Sequence, residues 1–175
     1  YTLPAELIAQ QPAAERGASR LLTLERGSPP PVIRHGWFSD LPSLIPAGDL
    51  LVLNTTRVRH SRVLATRPSG APAEVLLLHP ATDDQWVAMG KPGSALRPGK
   101  RLAIGPDAWI ETLAVQPDGY RLVRFGGIPA ADAIRQHGHL PLPPYIDRGP
   151  TALDEERYQT VYAEREGSVA APTAG

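Results

Sequence analysis

Gly48-Asp49-Leu50-Leu51-Val52-Leu53-Asn54-Thr55-Thr56-Arg57 joins a glycine turn, four consecutive apolar residues and a polar tail. A run this short and this apolar suits a strand buried on both faces, as in an α/β sheet. Ligands bind such sheets just past the carboxyl ends of their strands, so Asn54, Thr56 and Arg57 are placed to meet one. No acid occurs between Asp49 and Glu74, whereas Arg57, Arg59, Arg62 and Arg67 do. If residues 57–66 form one strand, Arg57 and Arg59 share a face and Arg62 takes the other. Two readings stand for this arginine run: contact with the phosphates of a nucleic acid, or charged decoration that guards an edge strand.

Toward the N-terminus, residues 4–10 read as a short helix with proline in its first turn, and residues 19–25 as a strand. Ser39 is placed to cap a helical turn over 39–45. Toward the C-terminus the texture changes. Strand-like runs recur at 73–78, 85–89, 100–104, 109–115 and 120–125, divided by turn residues; Asp118-Gly119 is a two-residue hairpin signal. Such spacing suggests a small antiparallel barrel or sandwich. After Gly126-Gly127 helical texture returns at 130–136. The prolines of 140–146 impose an extended path, and 152–164 reads as a helix with an acidic first turn. The simplest architecture is an α/β body interrupted by an inserted all-β antiparallel barrel. Residues 1–60 and 129–175 would form the discontinuous α/β domain and residues 61–128 the insertion.

Composition bounds the function. Lys plus Arg and Asp plus Glu are 18 each in 175 residues, so a general cationic coat for nucleic acid is excluded and any such contact must be local. Absence of cysteine removes disulfides, thiolate nucleophiles and cysteine zinc sites. Twenty prolines and 16 glycines disfavour long helices. Sixteen of the cations are arginine, a planar fork suited to phosphate and carboxylate. No apolar run is long enough to span a membrane, and the N-terminus lacks the basic and apolar regions of a secretory signal, so a cytoplasmic location is expected. Both ends read as cut within a longer pattern.

Three further segments could carry chemistry. In Pro143-Pro144-Tyr145-Ile146-Asp147-Arg148 a stiff path would hold Tyr145 as a stacking platform and Arg148 as an anion fork; a rigid linker, or a ligand for a proline-reading module, fits as well. On a helix, Tyr158 and Tyr162 lie on one face at i,i+4, a spacing more often found in cores, and Gln159 points elsewhere, where it could read a base edge. The small residues of 167–175 permit close approach of backbone to a ligand, without a P-loop or dinucleotide fingerprint. His137 and His139 form no convincing metal pair.

Taken in order, Leu3-Pro4-x-Glu6-Leu7-Ile8-Ala9, Ser19-Arg20-Leu21-Leu22, Gly48-Asp49-Leu50-Leu51-Val52, Asn54-x-Thr56-Arg57-Val58, Glu74-Val75-Leu76, Pro141-Leu142-Pro143-Pro144-Tyr145-Ile146-x-Arg148, Tyr158-Gln159-Thr160-Val161-Tyr162-Ala163 and Gly167-Ser168-Val169-Ala170-Ala171-Pro172-Thr173-Ala174-Gly175 closely resemble the S-adenosylmethionine:tRNA ribosyltransferase-isomerase family of queuosine biosynthesis. The resemblance implies an α/β domain with an inserted barrel. It also implies an enzyme that transfers and isomerises the ribosyl group of S-adenosylmethionine onto preQ1 at the tRNA wobble position. The products would be epoxyqueuosine-tRNA, adenine and methionine; S-adenosylmethionine serves as co-substrate and no metal is implied. Family members are about twice as long, so the 175 residues resemble an N-terminal half and are expected to be inactive alone.

In that reaction the sulfonium acidifies the ribose 5′ hydrogens, a base removes one, adenine leaves, the preQ1 amine attacks and epoxide closure expels methionine. The candidates carried onto this sequence are Asp147 and Tyr158 as catalytic groups. Asn54, Thr56, Arg57, Tyr145, Arg148, Tyr162, Ala171, Pro172 and Thr173 would bind S-adenosylmethionine, and Arg59, Arg62 and Arg67 the anticodon loop of preQ1-containing tRNA. A monomer is expected. The competing expectation is a non-catalytic β-barrel module that docks RNA or protein, favoured if the 175 residues are complete. All these assignments require that residues around Arg57, Tyr158 and Pro172 converge on one pocket.

Overall fold

The leucine-rich run after Ser19 forms strand β1 (Arg20–Glu25), as its pattern predicts, and pairs antiparallel with β2 (Val32–Trp37). The second strand is not legible in the sequence, because three prolines precede it and Gly36 interrupts it. In this computed structural model all residues are described except Tyr1, Arg26, Ser28, Pro29, Thr173, Ala174 and Gly175, and the chain divides into two compact units, Tyr1–Val52 and Leu53–Gly175. In the first unit the predicted helix at 4–10 shrinks to a 3₁₀ turn, Ala5–Leu7. The turn predicted at 39–45 appears as a 3₁₀ turn and a short helix, α1 (Leu41–Leu44). Its entry is held by Asp40, not Ser39: Asp40 Oδ2 accepts the Trp37 N–H at 2.8 Å.

The apolar run Leu50–Leu53 departs from expectation. It forms no strand and lies open, with Leu50 89% and Val52 78% exposed. A strand exists only beside a neighbour that completes its hydrogen-bond ladder, and among the described residues none runs alongside this one.

In the second unit, β3 (Thr56–Val58) is followed by a tight turn in which the Ser61 N–H bonds the Arg59 carbonyl at 2.8 Å. Residues 57–66 are therefore two strands, and the single-strand face pattern of Arg57, Arg59 and Arg62 does not hold. Then come β4 (Arg62–Thr66), β5 (Pro72–Pro80), β6 (Gln85–Lys91), β7 (Arg101–Ala103), β8 (Trp109–Val115) and β9 (Arg121–Gly126). Their spatial order is β4-β5-β6-β9-β8-β7, and Thr66 opposite Ala103 returns β7 to β4. The result is a closed antiparallel β-barrel of six strands. Closure removes exposed edges. Bulges at Leu77–His79 and Thr112–Ala114 bend two of the longer strands.

Alternation explains the barrel. Val63 and Ala65, Val75 and Leu77, Ile110 and Thr112, and Val123 and Phe125 point inward and are buried, while their neighbours face out. Helix α2 (Ala130–His137) contributes Ala130 and Ala133 to the same core, and β10 (Gly138–His139) pairs with Arg62 and Val63 on the side of β4 that β7 meets at Thr66. The hairpin β8–β9 closes on the Gln116–Tyr120 pair, so its loop is the three residues Pro117-Asp118-Gly119, with Gly119 at φ +86°. Beyond β9, Gly127 sits at φ +88°, and a Cβ there would collide with the Asp107 carbonyl oxygen. Gly127→Ala is expected to cost about 2 kcal/mol, read as a lower urea midpoint at unchanged slope.

Helix α3 (Ala152–Arg157) ends well short of the predicted 152–164, and β11 (Arg165–Ser168) pairs in parallel with β3. Among the described residues no helix is long and apolar enough to cross a membrane.

Candidate active-site groove

The proline-rich segment after β10 runs as a stiff strap over the barrel and bounds a groove of about 740 Å³. That size suits a small-molecule site. One wall is the outer barrel surface, with Arg62 from β4, Glu74 and Leu76 from β5, and Met89, Gly90 and Lys91 from β6. Strand alternation turns the side chains of Arg62, Glu74, Leu76, Met89 and Lys91 outward. Pro141–Pro144, Ile146, Asp147 and Arg148 form the opposite side, and Tyr158, Val169 and Ala170 complete the lining.

Two ion-pair systems frame the groove. Arg62 Nη2 donates to Glu74 Oε2 at 2.8 Å, and Lys91 lies opposite Glu74 across the β5–β6 ladder. Arg148 donates through Nη1 and Nη2 to the two oxygens of Asp154 at 2.6 and 2.8 Å. Asp154 also accepts the Thr151 N–H and hydroxyl at 2.7 and 2.8 Å, a capping box for α3. The Arg148 guanidinium, followed by the two Thr151 bonds, holds the Asp154 carboxyl well below the usual carboxylate range despite its burial. The Arg148 fork thus anchors the strap to α3.

Tyr158 stands just beyond α3. Burial raises its phenol above the usual tyrosine value; a backbone hydrogen bond from Ala171 opposes the rise and Tyr145 adds to it. The hydroxyl therefore keeps its proton at neutral pH. Tyr158 has φ −85° and ψ 27°, off the helical path. The next residue explains why the helix ends: Gln159 Oε1 accepts the Val58 N–H at 2.8 Å and its Nε2 donates to the Val58 carbonyl at 2.9 Å. Gln159 serves β3 as a neighbouring strand would, and both ends of its carboxamide are engaged there. The proposed base-edge contact of Gln159 and the shared helical face of Tyr158 and Tyr162 are both replaced by this arrangement. Tyr162 lies in a turn at 41% exposure.

Among the sequence-derived candidates, Arg62, Asp147, Arg148 and Tyr158 line one groove, and Tyr145 and Ala171 interact with Tyr158. Asn54, Thr56 and Arg57 do not line it. Asn54 Oδ1 accepts the Thr56 N–H at 2.8 Å, and Arg57 sits exposed opposite Glu166 in the β3–β11 pair. The Val58–Gln159 bonds tie that pair to the residue following Tyr158. Arg59 lies over the Trp86 ring at 5.5 Å. Arg67 reaches the Ala71 carbonyl at 3.4 Å in the turn after β4. Pro172 is half-buried, and Thr173 falls outside the described residues.

A model of the queuosine biosynthesis protein family matches residues 1–175. The chain belongs to this family. Curated relatives named S-adenosylmethionine:tRNA ribosyltransferase-isomerase match all of it: one from Syntrophomonas wolfei at 48% identity, one from Thermosynechococcus vestitus at 45% and one from Anaeromyxobacter sp. at 42%. The chain spans about half the length of these relatives: 50%, 49% and 51% respectively. A crystal structure of S-adenosylmethionine tRNA ribosyltransferase from Thermotoga maritima is 34% identical, with 78% of this chain and 47% of that one covered at a TM-score of 0.42.

For this member of the queuosine biosynthesis protein family, sequence reading missed most of the barrel wall of the groove. Glu74, Met89 and Lys91 belong to strands whose outward positions were legible, but nothing in the sequence says which outward face the strap will cover. Asp154 carried a signal, the Thr151-x-x-Asp154 spacing of a capping box. Gln159 carried none, because its partner Val58 is a distant backbone group.

Proposed function

We propose that the groove binds S-adenosylmethionine, and that the polypeptide of which these residues form a part transfers and isomerises its ribosyl group onto preQ1 at the wobble position of tRNA. On this reading the released products are adenine and methionine, leaving epoxyqueuosine-tRNA. Family membership supports the general reaction, and one observation carries the site: Tyr158, Asp147 and Arg148 share a groove of suitable size with mainly apolar walls. An apolar surround with tyrosine faces suits a sulfonium cation and an adenine ring. The co-substrate supplies the sulfonium, which acidifies the neighbouring 5′ hydrogens.

The chain's own residues divide the work. Tyr158 stays protonated, so it acts as a hydrogen-bond donor and aromatic wall and does not accept the 5′ proton. Asp147, which lines the groove together with Arg148 and Tyr158, is the proposed proton acceptor. Proline walls and Val169 exclude water. Asn54, Thr56 and Arg57, outside the groove lining, stay proposed S-adenosylmethionine contacts together with Tyr145, Tyr162, Ala171 and Pro172, and Thr173, outside the described residues, belongs to the same proposal. The parallel β3–β11 pair supports the proposed α/β body, with residues 1–60 and 129–175 in it and 61–128 as the insertion. The anticodon loop, a cytoplasmic location and a monomeric state belong to the same proposal.

The test is adenine release from S-adenosylmethionine with preQ1-tRNA, using the polypeptide at the length of its relatives. Tyr158→Phe is expected to lower release about tenfold, with tRNA affinity unchanged. Equal release by both proteins would remove Tyr158 from the site.

A further inference from the structure

Two adjoining hollows lie at the far end of β4 from the groove, and both are lined by Arg67, Pro68, Arg101 and Leu102. One adds Trp109 and the other Lys100. Three cations line them and no acid does. Glu111 lies 3.6 Å from Arg101 and makes its closer pair with Arg124 at 2.8 Å. One carboxylate facing two guanidiniums leaves the cluster positive.

The aromatic partner is fixed in place. The Arg101 guanidinium carbon stands 4.2 Å from the Trp109 ring centroid. On the adjacent strand β9, Gly126 allows the indole to lie across the backbone, since a Cβ there would overlap its ring carbons. The indole is thus seated on glycine with a guanidinium stacked over it. A stacked guanidinium presents its N–H edge outward in a set plane, the geometry that suits a phosphate oxygen pair. Arg67 is steadied by the Ala71 carbonyl at 3.4 Å.

We propose that Arg67, Lys100, Arg101 and Trp109 form a second site, one that holds the phosphodiester backbone of the substrate RNA. The proposal rests on tRNA being the partner. Its geometry comes from β4, where Arg62 of the groove, Leu64 and Thr66 of the hollow all face outward on one strand. At about 3.3 Å per residue, groove and patch lie roughly 13 Å apart along that strand, a span one RNA stem-loop can cover. The groove would take the modified base and the patch would fix the register of the strand carrying it.

The experiment uses the 175-residue chain and a short unmodified RNA hairpin, with affinity measured as a function of salt. Arg67→Gln with Arg101→Gln is expected to weaken binding about tenfold at 0.1 M salt and to flatten the salt slope by about 1.5. Arg101→Lys keeps the charge and loses the stack, so an intermediate loss of about threefold is expected. Arg135→Gln, at an exposed cation on α2 that pairs with Asp132 and lines neither hollow, is expected to change nothing, and melting curves check that each variant is folded. No hairpin binding by the unaltered chain, or equal losses for the Arg135 and Arg67/Arg101 variants, would overturn the site. Adenine release reads the catalytic proposal independently: its failure with hairpin binding intact would sink the reaction and leave the patch.

Discussion

Asp154→Ala is expected to destabilise the second unit by about 3–5 kcal/mol, the range for removing one member of a buried ion pair. Asp154 is buried and accepts four hydrogen bonds, two from the Arg148 fork and two from Thr151. Without it, Arg148 keeps its charge but loses the carboxylate that faces its fork, and the first turn of α3 loses its cap. The strap residues 141–149 would loosen with Arg148, so the groove should lose ligand affinity along with stability. The pH dependence has a definite sign. The folded-state carboxyl titrates well below its unfolded value, so its contribution is complete above about pH 4 and is lost as pH falls toward the native titration point. Asp154→Asn should therefore flatten the acid limb of a stability curve measured from pH 7 to pH 2, besides lowering stability at neutrality. An acid limb as steep as that of the unaltered protein would show that this carboxylate is not what acid titrates.

Gln159→Ala should cost about 2–4 kcal/mol, because it strips partners from both the N–H and the carbonyl of Val58, and Val58 is 1% exposed. Gln159→Glu separates the two bonds. A carboxylate still accepts from the Val58 N–H but sets a buried charge against the Val58 carbonyl oxygen, so a loss at least as large as that of the alanine variant is expected at neutral pH, easing as acid protonates the carboxyl. Thermal unfolding followed by circular dichroism reads both variants. An alanine variant that melts with the unaltered chain would mean that β3 is held by β11 alone.

These two residues mark the boundary of what the sequence discloses. Asp154 follows Thr151 at capping-box spacing, and the cap is local, so the pattern is visible in four residues. Its bidentate partner Arg148 lies in a proline-rich segment whose path depends on the barrel beneath it. Gln159 is further out of reach. It sits in a stretch with helical texture, and the helix stops because a backbone group brought in from β3 takes its side chain. Leu50–Leu53 shows the opposite case. Its apolar run is a strong strand signal, but a strand needs partners, and propensity supplies none.

From sequence alone came the six barrel strands within a residue or two, except for the split at Arg59–Ser61, and the ordered motifs that mark the family. Alternation and turn chemistry are local, so neighbouring residues record them directly. Only the folded chain decided that β7 closes on β4, that Asp147, Arg148 and Tyr158 share a groove while Arg57 does not line it, and that Trp109 lies under Arg101. Those facts depend on groups distant in sequence meeting at angstrom spacing, and no local pattern encodes where a closed sheet or a proline strap will bring them.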